Sequence, residues 1–222
     1  MFSSRHYDIE KYPAIKQYLL AFGIERLEQT GKTYVIDGEN VKARKKTNNK
    51  WFETQDSISY WDLLSQPKII WGEISDKTKF CLDKDGLYTP EATTFMLSGE
   101  DLILLLAFLN CSVSEYVFST MGTTTGVGTV RWKKFKIEQL YVPQGIPEEM
   151  AKEIRNQCEV VIDKVKQSES SFEEECKLNM LIYKYYALSD SEIKFIESHV
   201  KTNYQDNRFP KDLKPAICTV EN

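Results

Sequence analysis

Long apolar runs are missing from this sequence: the longest, Leu102 to Leu109, has eight residues, whereas a helix crossing a bilayer needs roughly 20. No membrane partner is expected. The opening stretch MFSSRHYDIEKY lacks the apolar core of a secretory signal, which points to a cytoplasmic location rather than export. Histidine is scarce, with only His6 and His199, and the five cysteines (Cys81, Cys111, Cys158, Cys176 and Cys218) include no C-x-x-C pair. A zinc ribbon or a disulfide framework needs closer, paired spacing, so buried or free thiols are expected, and no metal.

Catalytic signatures are equally sparse. There is no G-x-x-x-x-G-K-[ST] phosphate loop and no G-x-S-x-G nucleophile elbow; Gly122, Gly126 and Gly128 form a loose glycine-rich stretch without a Walker lysine. Acidic neighbours such as Asp83 with Asp85, or Glu100 with Asp101, suit turns and helix N-termini rather than an acid–base pair. The Asn-Pro-Pro-aromatic tetrapeptide of amino-methyltransferases is absent, as is an adenosylmethionine glycine motif. No catalysis is expected from this chain alone.

What is present is an ordinary globular composition over 222 residues, 41% hydrophobic, 28% charged and 12% aromatic. That length suits one large domain, or a domain with a helical appendage. The net charge of −4 argues against a basic coat, yet the charge is uneven. Met1 to Pro147 holds 18 basic and 18 acidic residues, and Glu148 to Asn222 holds 11 and 15, so the acidic excess sits in the last third. Within the neutral part lie two basic clusters: Lys42, Arg44, Lys45, Lys46 and Lys50 beside Trp51, and Arg131, Lys133, Lys134 and Lys136 interleaved with Trp132 and Phe135. Such clusters neutralise phosphates when they are not simply solvated loops.

Apolar spacing at Ile15, Tyr18, Leu19, Phe22 and Leu27 predicts a helix over Tyr12 to Glu28 with one face packed inward. VKARKKTNNK reads as a polar loop. Ile69, Ile70, Trp71 and Ile74 read as a largely buried strand, with Lys79 to Leu82 as its hairpin partner, a turn over Asp83 to Gly86, and a further strand at Thr93 to Leu97. LILLLAFLN is apolar on every side, as a helix buried mid-fold would be, with a break near Asn110 to Ser112 and a continuation towards Thr120. GTVRWKKF reads as a basic strand. The final third is helical: Met150, Ile154, Cys158, Val161 and Val165 make one stripe, a second helix spans Phe172 to Leu188, and Ser189 with Glu192 forms a capping box for a third. Trp61 and Trp71 are expected in the core.

Four segments in order, YPAIKQYL, KWFETQ with QPKIIWGEIS, LILLLAFLNCSVSEYVF and VRWKKFKIEQLYVP, resemble the TaqI-like C-terminal specificity domain, the target recognition domain of combined restriction–modification enzymes and adenine-specific DNA methyltransferases. Tyr141 stands where that family usually has its first proline. The resemblance implies an α+β architecture: a mixed α/β recognition domain over residues 1–147, a helical extension over 148–201 and a tail over 202–222. It also implies double-stranded DNA as partner, beside a methyltransferase or endonuclease domain of the same system that flips and methylates the base. S-adenosylmethionine would belong to that partner, with no cofactor in this chain.

Base readout needs donors and acceptors on loops: arginine or lysine for guanine, asparagine for adenine, carboxylates for cytosine. The resemblance makes the loop Ser75 to Lys79 a base reader through Asp76, Lys77 and Lys79. In the first basic loop, Arg44 and Asn48 are candidates for base contact and Lys45, Lys46 and Lys50 for phosphates, with a disordered surface loop as the alternative. Thr123, Thr124 and Thr125 suit phosphate or base-edge contact. Arg131, Lys133 and Lys134 suit phosphates, with Arg131 and Lys133 on one side of the expected strand and Trp132 on the other. The competing expectation is a protein-interaction subunit that docks through the Met150 to Val165 stripe.

Overall fold

The expected α+β class, with helices in the final third, is what the computed structural model of the chain has; it describes residues 7–56, 60–75, 77–121, 130–142 and 144–203. The chain divides into two compact units, Met1–Asp62 and Leu63–Asn222. The division does not fall at residue 147, because the helices after it contribute Ile154, Cys158, Leu178 and Ile182 to the same core as the sheet before it. They are a layer of the second unit rather than an extension.

In the first unit, Pro13 sits in the first turn of α1 (Pro13–Leu20), where its missing N–H costs nothing. The expected single helix to Glu28 is broken by Gly23, whose φ of 85° no α-helix interior accommodates, and α2 (Ile24–Leu27) follows. The apolar face is not packed inward either. No α1 residue is buried, Ile15, Tyr18 and Phe22 are exposed, and Tyr18 meets Phe22 edge-on with centroids 5.3 Å apart.

Strands β1 (Thr33–Ile36) and β2 (Glu39–Lys42) pair antiparallel, with Ile36 opposite Glu39 across Asp37-Gly38. Both turn residues have positive φ, 51° and 84°, the requirement of a two-residue hairpin whose twist matches its strands. VKARKKTNNK is therefore not loop from its start: Val41 lies in β2, and Val41 and Ala43 are buried.

The second unit is built on β3 (Lys68–Gly72). β4 (Ile74–Ser75) follows it after Glu73, and β5 (Cys81–Asp83) and β6 (Thr94–Leu97) flank β3 in the order β5-β3-β6, both antiparallel to it. Ile69 and Trp71 are buried as expected, but Ile74, past the interruption at Glu73, is exposed. The turn after β5 uses Gly86 at φ 66°, where a Cβ would lie 2.4 Å from the Ser65 carbonyl oxygen.

Helix α3 (Leu102–Asn110) is apolar all round because it lies between this sheet and α6 (Glu148–Lys166). Extended backbone at Cys111 ends it, and α4 (Ser112–Met121) leaves at 62°. Asn179 of α7 (Phe172–Tyr185) caps that corner: its Oδ1 accepts the Ser112 N–H at 3.0 Å and its Nδ2 donates to Ser112 Oγ at 3.1 Å. No single helix among the described residues is long and apolar enough to cross a membrane.

The centre of the α6 stripe is engaged within its own chain. Ile154 and Cys158 are buried, Met150 and Val161 pack against the core, and only Val165 at the end is exposed. Arg155 on the opposite side grips Asp101, the residue before α3, through Nε and Nη2 at 2.9–3.0 Å, and Glu148 through Nη1 at 3.0 Å. α7 ends at Tyr185, short of the expected Leu188, as Ala187 takes a φ of 52°. Helix α8 (Asp190–Asn203) has the expected capping box: Glu192 accepts the Ser189 N–H at 2.8 Å and the Ser189 hydroxyl accepts the Glu192 N–H at 3.4 Å.

Candidate nucleic-acid interface

The first basic loop, residues 43–54, is tied down from inside. Gln29 is buried, and its Nε2 donates to the carbonyls of Lys50 at 2.9 Å and Glu53 at 3.0 Å while its Oε1 accepts the Thr47 hydroxyl at 2.5 Å. Arg44 shares the task. Its Nε donates to the Leu27 carbonyl at 2.8 Å, Nη1 to that of Glu53 at 3.0 Å, and Nη2 to that of Trp51. Burial lowers its pKa from the ordinary arginine value. Arg44, expected to reach a base, is thus directed at three backbone carbonyls of its own unit, and the geometry gives it a structural role instead. What the loop presents outward is Lys45, Lys46, Asn48 and Lys50. Lys45 lies 3.8 Å from Asp56 with both side chains exposed, and Lys50 sits 5.7 Å from the Phe52 ring centroid; exposed contacts of this kind are weak and exchange readily for phosphate.

In the second unit, β4 pairs antiparallel with β7 (Val130–Arg131), Ser75 opposite Val130 and Ile74 opposite Arg131. The segment after β4 and the second basic cluster therefore start from adjacent strands. Among the described residues the expected basic strand covers these two residues, and Lys133 already leads into α5 (Lys134–Ile137). Trp132 is buried and stacks on Phe118 with centroids 3.8 Å apart. Arg131 is half exposed and donates to Glu73 at 2.9 Å; Lys133 is half-buried, and Lys134 is exposed, 3.6 Å from Glu138.

Of the expected base readers, Lys79 is exposed, whereas Lys77 is buried and does not face solvent. The next residue is tied to α4: Thr78 Oγ1 donates to Glu115 Oε2 at 3.0 Å, and Glu115 is itself buried. Asp76, Thr123, Thr124 and Thr125 lie outside the described residues. Gln29, Asn110 and Glu115, which hold these loops from 20 or more residues away in sequence, carried no local signal beyond the oddity of Asn110 closing a wholly apolar helix.

The two buried cysteines of the core are not poised as nucleophiles. Cys111 and Cys158 are buried, and burial, helped by Glu159, pushes the Cys158 thiol up to about 12, so it stays protonated at neutral pH. Trp71 is in the core as expected, while Trp61 is only half-buried. The chain matches no protein-family model and no curated protein.

Proposed function

We propose that this chain is the specificity part of a restriction–modification system: it binds double-stranded DNA by sequence, and a methyltransferase or endonuclease domain of the same system performs the chemistry with S-adenosylmethionine. The resemblance to TaqI-like target recognition domains motivates the reading. The observation that carries it is the β4–β7 ladder, from which the segment leading to the exposed Lys79 and the Arg131 to Lys134 cluster both emerge. Groups carried on or next to elements packed on a rigid core hold their geometry, and phosphate contacts fix the register in which bases are read. Lys45, Lys46, Lys50 and Asn48 offer a further phosphate-binding loop in the first unit.

The test is selection of bound duplexes from a randomised pool at about 50 mM salt, where electrostatic binding is strong. Enrichment of one sequence is expected. Failure to bind any duplex at that salt sinks the proposal and leaves the interaction-subunit reading in its place.

A second measurement addresses the phosphates. Neutralising five or six of them gives log K a slope of about −5 against log salt, at about 0.9 per phosphate. Arg131→Ala with Lys133→Ala is expected to flatten that slope by about two without changing the selected sequence. An unchanged slope removes these residues from the interface.

A further inference from the structure

Lys79 lies between two residues that are fastened to the α3–α4 corner. On one side, the Thr78 hydroxyl donates to the buried carboxylate of Glu115 at 3.0 Å. On the other, the Phe80 N–H donates to Asn110 Oδ1 at 3.0 Å and the Phe80 carbonyl accepts Asn110 Nδ2 at 2.9 Å. A single amide side chain thus supplies both halves of a strand-like bridge to Phe80. Its ring is buried, 5.5 Å from Trp71 and 6.0 Å from Trp132 between centroids, which fixes that end further. Upstream, Trp132 Nε1 donates to the Ser75 carbonyl at 3.3 Å. Lys79 itself is exposed.

The identity of the clamping residues needs a reason. Asn110 is exposed at the end of the run LILLLAFL, yet both polar atoms of its amide turn back onto the Phe80 backbone, and Glu115 is a carboxylate placed in the interior. Both direct their polar atoms at the neighbours of one exposed cation. A flexible loop that orders only on contact loses affinity to that ordering, and a backbone already held in place avoids the loss.

We infer that Asn110 and Glu115 are positioning residues that aim Lys79 at the nucleic acid, through Phe80 and Thr78 respectively. The inference rests on the DNA-recognition reading. It adds that Lys79 is a preorganised contact rather than one charge among many, and that its geometry is set by the α3–α4 corner.

A double-substitution cycle on the full chain separates this from simple structural support. The probe is a labelled duplex carrying the sequence that the wild-type chain enriches, or the random pool itself if none is enriched. Thr78→Val keeps the branched shape and removes the hydroxyl; it is expected to weaken binding about three- to tenfold in the presence of Lys79. In a Lys79→Ala background the same change is expected to cost no more than about twofold, because the aimed group is gone. Asn110→Ala, tested the same way, provides a second cycle if Thr78→Val folds poorly. Equal losses in both backgrounds overturn the inference, since the clamps then act on the fold alone. Lys79→Ala with unchanged affinity overturns it too, as does Lys79→Ala that weakens binding while both clamp variants leave it intact. In either case wild-type binding survives and the proposed function stands. If the wild-type chain binds no duplex, the function and the inference fall together.

Discussion

Asp83→Asn is expected to lower the stability of the second unit by about 3–5 kcal/mol, the usual cost of breaking a buried ion pair from one side. Lys68 and Asp83 face each other across β3 and β5, with Nζ 2.5 Å from Oδ2 and both side chains essentially removed from solvent. The ammonium also donates to the carbonyls of Leu64 at 2.8 Å and Gln66 at 3.4 Å. The carboxylate accepts the N–H groups of Leu87 at 3.0 Å and Tyr88 at 2.9 Å, so it closes the turn after β5 as well as balancing the charge. An amide can retain one of those turn bonds, but it leaves a buried ammonium without a counter-charge. Urea unfolding should show the midpoint falling at an unchanged slope. Adding Lys68→Met should recover most of the loss, because a pair removed together costs far less than a charge orphaned. A double variant no more stable than the single one would assign the effect to the turn bonds instead.

The pH dependence of the same pair has a definite sign. Burial pushes the Asp83 carboxyl upward, but the hydrogen bond from Lys68 and the backbone N–H groups of Tyr88 and Leu87 outweigh it and hold the carboxyl below its ordinary value. A carboxyl with a lower pKa in the folded state contributes stability that is complete above its unfolded value, about 4, and is lost as the pH falls through the folded value. The stability gap between wild type and Asp83→Asn should therefore be constant near neutrality and narrow below about pH 4. A gap that stays constant well below that pH would show that the charge on Asp83 is not what stabilises the turn.

Strong local signals located much of this fold. The apolar run of α3, its break at Cys111, the β3–β5 pairing, the presence of β6 and the Ser189–Glu192 box all follow from periodicity or from side-chain chemistry within a few residues. The β1–β2 hairpin was equally legible through Asp37-Gly38, and was hidden because the basic residues after it made the segment look like loop throughout. Gly23 likewise carried its break in plain sight. The site was less legible, since what decides it is long-range. Lys77 has the composition of a solvated turn and is buried, and its neighbour Thr78 is bonded to Glu115, 37 residues later in α4. Arg44 has the composition of a guanine reader, yet Leu27, Trp51 and Glu53 take its donors. Charge type reveals which residues can meet a phosphate; tertiary packing decides which of them still face outward.

Trp132→Ala is expected to cost about 3–5 kcal/mol as a large-to-small core change, and to weaken DNA binding beyond its effect on the folded fraction. The indole is buried, stacked on Phe118 within 7° of parallel and edge-on to Phe80. Its backbone is held on both sides, with its N–H donating to the Glu73 carbonyl at 2.6 Å and its carbonyl accepting Trp71 Nε1 at 3.0 Å. Among the described residues the β4–β7 ladder beside it has two residue pairs, too few to persist on strand pairing alone. Trp132 is the anchor that keeps Arg131 opposite Ile74. Removing the ring should therefore loosen Arg131 and the segment after Ser75 together, so that binding measured well below the unfolding midpoint falls and the salt slope flattens by about one. Trp132→Phe keeps an aromatic ring to pack on Phe118 while losing the Nε1 bond to the Ser75 carbonyl at 3.3 Å and part of the indole's packing. That variant should lose less stability than Trp132→Ala and keep the wild-type slope. Equal losses from Trp132→Phe and Trp132→Ala would mean that the indole N–H, rather than the packed ring, holds the ladder in place.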